Sequence, residues 1–265
     1  MPTLVLPPRY TPDSISLWRQ GNERGWQVER LQKWRAPESL KEHDIVLYGE
    51  SLFAAVVADE LGIALLEAPF HWLADLPENY RKRKVIFTTL AEARTYHQQA
   101  FIKPADDKCF PARVYESGNE LPESGVLPDA TPVLISEVVH WEVEFRCFIL
   151  EGKMETFSPY LRYGELAQDK EGNWIASPEE TNEALHFIDS VLADSQVKLP
   201  PSVVVDVGVI EGLGWAVIEA NPSWGAGIYG CDAAKVLDVI RRGCVKVDNL
   251  SASDKQWVID RTIES

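Results

Sequence analysis

The sequence lacks the marks of a thiol- or histidine-based metal centre. Its four cysteines, Cys109, Cys147, Cys231 and Cys244, have no CxxC or zinc-ribbon spacing, so reduced, buried thiols are expected. Its five histidines, His43, His71, His97, His140 and His186, are scattered, which leaves a metal-dependent hydrolase a weak reading. No G-x-G-x-x-G follows a strand and no Walker A loop exists, so neither a nicotinamide cofactor nor a P-loop is implied. No run approaches the roughly eighteen apolar residues needed to span a bilayer, so no membrane partner is expected. Met1–Tyr10 has no basic segment leading into a long apolar one, and a cytoplasmic location is the expectation. Positive charge is scarce too. Lys and Arg number 26 against 41 Asp and Glu, and the net charge of −15 argues against a nucleic-acid surface spread over the fold.

What remains is an ordinary globular composition, 45% hydrophobic and 25% charged, with room for one large or two small domains. The most informative stretch is Asp206–Gly227. Two apolar runs, Val203–Ile210 and Trp215–Ala220, flank Gly212-Leu213, which suits a type II′ hairpin. A two-residue loop pairs Glu211 with Gly214, and counting back sets Asp206 opposite Glu219. Asn221, two residues further on, shares that face. Opposed carboxylates repel. They persist if one is protonated, if the face is wet, or if a hard cation such as Mg²⁺ sits between them with phosphate oxygens completing its shell.

Upstream, Leu4-Val5-Leu6 reads as a strand, Pro12–Arg24 as a helix capped near Thr11 or Asp13, and Trp26–Leu31 as a second strand. Asp44–Leu47, Leu52–Leu61 and Ile63–Leu66 read as strand, helix and strand, which points to a parallel α/β sheet. Gly49 and Ser51 lie where such sheets often bind ligand, with Ser51 read as a helix cap rather than a nucleophile. Pro69–Tyr80 reads as one connecting helix, and a boundary is expected near Asn79–Arg83.

Arg81–Arg83 read as a solvated helix end. Lys84 abuts the strand Val85–Phe87, and Thr88-Thr89 caps a helix through about Gln99. Lys103 lies in the short apolar strand Phe101–Pro104. It either snorkels to the surface or needs an anion. Lys108 follows in the loop Ala105–Lys108, and two lysines about a flexible loop could close over polyphosphate. Val133–Val139 is an apolar strand interrupted by Glu137. Glu142, Glu144 and Arg146 alternate with Val143, Phe145 and Cys147. That charged face is either solvated or set to hold phosphate and ribose. Arg162 falls in a loop, Pro178–Ala193 is a helix starting near Ser177, and Asp232–Arg242 is another. Gly225 and Gly227 let a loop pass close to a ligand.

Together these pieces resemble the ATP-grasp superfamily over roughly Lys84–Cys244. The most specific element is Asp206 thirteen residues before Glu219-Ala220-Asn221-Pro222. The resemblance implies that Asp206, Glu219 and Asn221 hold Mg²⁺ against the ATP phosphates. It implies that Glu137-Val138-Val139 form the hinge that reads adenine through its backbone, and that Glu144 holds the ribose. It gives Lys103 and, more weakly, Lys84 to the phosphates. Lys103, Lys108 and Arg146 look like the clade marked by one arginine and two lysines. Two departures stand out: Val204 where many family ligases carry arginine, and Asp106-Asp107-Lys108 in place of a glycine-rich loop.

The implied fold is an α/β (α+β) ATP-grasp fold, two α+β subdomains gripping ATP. A small parallel α/β pre-ATP-grasp domain, residues 1–82, precedes the catalytic domain, residues 83–265. The implied activity is an ATP- and Mg²⁺-dependent carboxylate–amine ligase that forms an amide or peptide bond through an acylphosphate, with Lys103, Lys108, Arg146 and Arg162 serving the chemistry. The implied partners are ATP, a carboxylate substrate and an amine acceptor, small molecule or peptide; a homodimer is left open. The alternatives are a small-molecule kinase and a nucleotide-binding module without turnover.

Overall fold

A computed structural model describes residues 1–106 and 108–259, so Asp107 of the expected phosphate-side loop lies outside the described residues. The chain opens with β1 (Pro2–Leu6), α1 (Pro12–Glu23), β2 (Gln27–Arg30), β3 (Asp44–Leu47), α2 (Ser51–Leu61) and β4 (Ile63–Leu65). Thr11 and Ser14 form a reciprocal cap ahead of Pro12, which fixes where α1 begins. Glu50, not Ser51, is the N-cap of α2, and Gly62 ends that helix in the left-handed region at φ 65°.

The parallel sheet is real but has different members. Its order is β2-β1-β3, all parallel, while β4 leaves it to pair antiparallel with the later strand β14 (Cys244–Lys246). The expected strand–helix–strand unit therefore does not close within one sheet. The expected connecting helix is two, α3 (Trp72–Asp75) and α4 (Glu78–Arg81), broken at Leu76-Pro77 where proline disfavours a helical predecessor.

Beyond them, β5 (Val85–Thr89), α5 (Leu90–Ala93), β6 (Ala100–Pro104), β7 (Arg113–Tyr115) and β8 (Pro132–Ser136) follow. Thr89 caps α5 as expected, but the helix ends at Ala93. These strands form an antiparallel sheet of order β5-β8-β6-β7 over its own core of Leu90, Ile102, Phe110, Tyr115 and Ile135.

The second antiparallel sheet has the order β11-β10-β9-β12-β13, built from β9 (Trp141–Leu150), β10 (Lys153–Arg162), β11 (Glu165–Leu166), β12 (Ser202–Ile210) and β13 (Gly214–Asn221). Helix α6 (Pro178–Ala193) starts at a capping box in which Ser177 Oγ accepts from Glu180 N and Glu180 accepts from Ser177 N. It buries Ala184, Ile188 and Val191 against Val143, Phe145, Val203, Val205 and Val207. On the opposite face, Phe148 and Val204 join the core of β1, β3 and α2, together with Val236, Leu237, Val239 and Ile240 of α7 (Ala233–Gly243). That apolar cover stops short of Asp206 and Arg146, each one alternation further along the same face. The polar site begins there.

Candidate functional site

The β12–β13 hairpin delivers Asp206 opposite Glu219, by a route the sequence did not suggest. The loop holds three residues, not two, closed by Leu213 N–H donating to Ile210 O at 3.0 Å. Gly212, at φ 73°, takes the second central position, so the turn is not type II′. That register would pair Asp206 with Ile218 and turn Glu219 toward the α6 core alongside Val205. A β-bulge between Asp206 and Val207 leaves Ile218 as the extra residue and restores Asp206↔Glu219, Val205↔Ala220 and Val204↔Asn221.

On this face a network of alternating charge forms. Arg146 on β9 lies opposite Asp206 and grips it twice, Nε to Oδ1 at 2.9 Å and the second terminal nitrogen to Oδ2 at 2.7 Å. Its remaining nitrogen donates to Gly227 O at 3.0 Å, and its plane lies against the rings of Tyr160 and Tyr229. Asn221 Nδ2 donates to Asp206 Oδ2 at 3.2 Å and Glu219 Oε1 at 2.9 Å. Lys103 reaches from β6 in the other sheet to pair with Glu219, so this contact joins the two sheets.

Burial works against the Glu219 carboxyl, but Lys103 and the hydrogen bonds from Asn221 and Lys103 outweigh it and hold its pKa down to about 2. Burial pushes the Asp206 carboxyl upward against the opposing pull of Arg146, and pushes Glu144 upward as well. Asp206 has no exposed surface, whereas the side chains of Lys103 and Glu219 keep 22% and 28%. Solvent therefore meets the network at the Lys103–Glu219 end. Two carboxylates and an amide on one face offer hard oxygen donors, with Lys103 already resting on one of them. This donor set fits Mg²⁺, which takes few protein ligands and completes its shell with water and phosphate.

The nucleotide end is only partly assembled. Glu137 N–H donates to Lys84 O at 3.1 Å and its carboxylate accepts from Lys84 N at 2.8 Å, so Glu137 continues the β5–β8 pairing just past the strand. Val138 is exposed, Val139 half-buried, and the side chains of Lys84 and Lys108 exposed. Glu144 is buried on the Arg146 face and accepts from Tyr160 OH at 2.7 Å. The Glu144–Arg146 face is not a solvated one.

Several placements differ from the expectations. Arg162 ends β10 instead of lying in a loop. It pairs in register with Val143 of the α6-facing core and forks onto Glu180 at 2.7 and 2.9 Å, on the other side of the sheet from Asp206. Gly49 docks the Trp224 loop: its N–H donates to Trp224 O at 3.0 Å, and a Cβ there would meet the Phe53 ring at 2.4 Å. Gly227 passes within reach of Asp13 and Arg146. Cys109 is exposed while the other cysteines are buried.

Sequence reasoning missed Asp13, Tyr160 and Tyr229, which carry no motif. Asp13 Oδ2 accepts from Ile228 N–H at 3.2 Å, and Tyr229 holds a positive φ of 47°. It also misread Arg81 and Arg83. Arg81 is half-buried and donates to Ala74 O, and Arg83 is 6% exposed. Among the described residues, no helix is long and apolar enough to cross a membrane.

Comparison with known proteins places this geometry. A family model of the ATP-grasp domain, family 2 of the clade named for one arginine and two lysines, matches residues 80–239. No curated protein matches by sequence. Solved structures share the fold at low identity. The D-cycloserine synthetase DcsG aligns with TM-score 0.55 and 13% identity over 91% of this chain and 98% of its own. A RimK-domain ATP-grasp protein of Sphaerobacter thermophilus gives 0.52 and 12%, over 91% and 98%. The D-alanine–D-alanine ligase of Bacillus anthracis, complexed with ATP, gives 0.51 and 15%, over 91% and 96%.

Proposed function

The chain belongs to the ATP-grasp superfamily, and from that premise we propose that it is an ATP- and Mg²⁺-dependent ligase joining a carboxylate to an amine. The observation that carries this is the Lys103–Glu219 contact above Asp206 and Asn221. It brings a flexible cationic side chain and a set of hard oxygen donors to one point between two sheets. Phosphoryl transfer asks mostly for positioning and charge neutralisation, and this network supplies both.

Asp206, Glu219 and Asn221 would hold Mg²⁺, which when bound neutralises phosphate charge. Asp206 lies beneath Glu219, Asn221 and Lys103. A cation reaches it when Lys103 withdraws from Glu219, and that withdrawal frees the ammonium for a phosphate oxygen. Arg146 holds Asp206 in place with both of its parallel hydrogen bonds. It thereby supplies across the sheet the charge that many relatives carry where this chain has Val204. Lys84 and Lys108, both exposed, are available to phosphates. Glu137, Val138 and Val139 take the adenine edge and Glu144 the ribose. Residues 1–82 form the preceding unit and 83–265 the catalytic one. ATP activates the carboxylate as an acylphosphate, and the amine displaces phosphate to leave an amide; Arg162, across the sheet, has no contact with this network.

The test is a Mg·ATP-dependent ADP-release screen across amino acids and peptides with mass spectrometry of the products. The ligase predicts one ADP and one phosphate released per amide formed. A stable phosphorylated product would instead show a kinase, and tight ATP binding without turnover over the panel a regulatory module.

A further inference from the structure

Arg83 is a buried guanidinium without an ion pair. It is 6% exposed, and among the described residues no carboxylate pairs with it. Its donors go to four neutral oxygens. One terminal nitrogen donates to Val217 O at 2.8 Å and Arg81 O at 3.0 Å, and the other to Ile218 O at 3.0 Å. Nε donates to Ser136 Oγ at 3.1 Å, and the Ser136 hydroxyl in turn donates to Glu137 O at 3.0 Å. The guanidinium plane lies over Trp141, 5.0 Å from the ring centre.

Two of these contacts fall on the bulge. Val217 and Ile218 are the residues whose register slips, and that slip is what turns Glu219 to the Asp206 face. A bulge leaves carbonyls out of the ladder, and a planar fork with five fixed donors can bind both while still reaching a third group at its Nε side. Gly208 makes room on the facing strand: a Cβ there would meet Val143 O at 2.6 Å, the Trp141 ring at 3.0 Å and Ile218 Cδ1 at 3.1 Å. The other contact, through Ser136, orients the Glu137 carbonyl at the end of β8.

We infer that Arg83 is a positioning residue that sets both ends of the nucleotide site at once, holding the bulge that aims Glu219 at the metal position and, through Ser136, the Glu137 carbonyl that faces the base. It rests on the nucleotide site proposed above. It explains why a charged group is kept in the dry seam between the two sheets, where an apolar side chain would cost less. Removing the link at Ser136 should disturb base reading alone, whereas changing Arg83 should disturb base reading and metal response together.

The experiment is calorimetric binding of ATP and GTP at varied Mg²⁺ to the full chain, with Arg83→Lys and Ser136→Ala. Lysine keeps the charge but cannot span the three acceptors. Arg83→Lys is expected to weaken Mg·ATP binding about tenfold, the worth of one or two hydrogen bonds from a charged donor, to raise the Mg²⁺ half-saturation, and to narrow the preference for ATP over GTP. Ser136→Ala is expected to narrow that preference with Mg²⁺ half-saturation unchanged. The carbonyl carbon shifts of Val217 and Ile218 should move in Arg83→Lys and not in Ser136→Ala. Wild-type Mg²⁺ response and base preference in a folded Arg83→Lys protein would overturn the inference and leave the nucleotide site standing. If Arg83→Lys fails to fold, an unchanged base preference in Ser136→Ala overturns it. No ATP binding by the wild type would overturn the nucleotide site itself, and this inference with it.

Discussion

Arg146 holds Asp206 by two parallel hydrogen bonds of 2.9 and 2.7 Å in a position where neither side chain keeps more than 9% exposure. Removing one member of such a pair strands the other charge in a dry site. Arg146→Met should therefore cost about 3–5 kcal/mol in urea unfolding, and the double change Arg146→Met with Asp206→Leu should recover most of it. Equal losses in the single and double variants would show that the pair is not coupled.

The Lys103–Glu219 contact carries a pH signature. The Glu219 carboxyl sits at about 2 when folded, against an ordinary 4.5. A depressed folded value means the stabilisation is complete above the unfolded value and drains away as pH falls from 4.5 toward 2. Wild type should thus be more stable than Lys103→Met at neutral pH, with the gap closing over that acid range. A gap independent of pH would mean that Lys103 is not what keeps Glu219 ionised.

Gly208 faces the bulge with no space for a methyl group, since a Cβ would lie 2.6 Å from Val143 O. Gly208→Ala should destabilise by about 1–3 kcal/mol through strain between β9 and β12. It should also lower nucleotide affinity, because Ile218 and Trp141 must shift. Unchanged melting and binding would contradict the close packing described at this point.

At the start of α6, Ser177 and Glu180 cap one another while Glu180 also takes the Arg162 fork. Ser177→Ala should cost about 1 kcal/mol in thermal or urea unfolding with no effect on ATP binding. A loss of nucleotide affinity would place this end of the sheet, and Arg162 with it, closer to the chemistry than the geometry does.

Much of the site was legible because strands alternate. The spacing of Asp206, Glu219 and Asn221 fixed a shared face, and the alternation of Glu144 and Arg146 fixed another on the neighbouring strand. The register came out right although the loop was one residue longer than expected, because a bulge added the compensating residue; nothing in Val217–Ile218 announces a bulge. Arg83 was illegible for a related reason. In sequence it stands in Arg81–Lys84, which resembles a solvated charge run, and only the meeting of two sheets brings backbone carbonyls to it. The N-terminal parallel sheet was foreseen in kind but not in membership, since local pattern cannot tell that β4 finds its partner far along the chain at Cys244–Lys246. Helix breaks at Pro77 and after Ala93 were set by local chemistry, yet the apolar pattern ran past both.

The central claim is that Asp206, Glu219 and Asn221 hold a divalent cation for bound ATP. Calorimetric titration of ATP into wild type and Glu219→Gln, with Mg²⁺ and with chelator, tests it most directly. The account predicts that Mg²⁺ strengthens ATP binding to wild type at least about tenfold, a coupling of about 1.4 kcal/mol, and that Glu219→Gln folds normally but loses this gain. A Mg²⁺ gain of the same size in folded Glu219→Gln would contradict it.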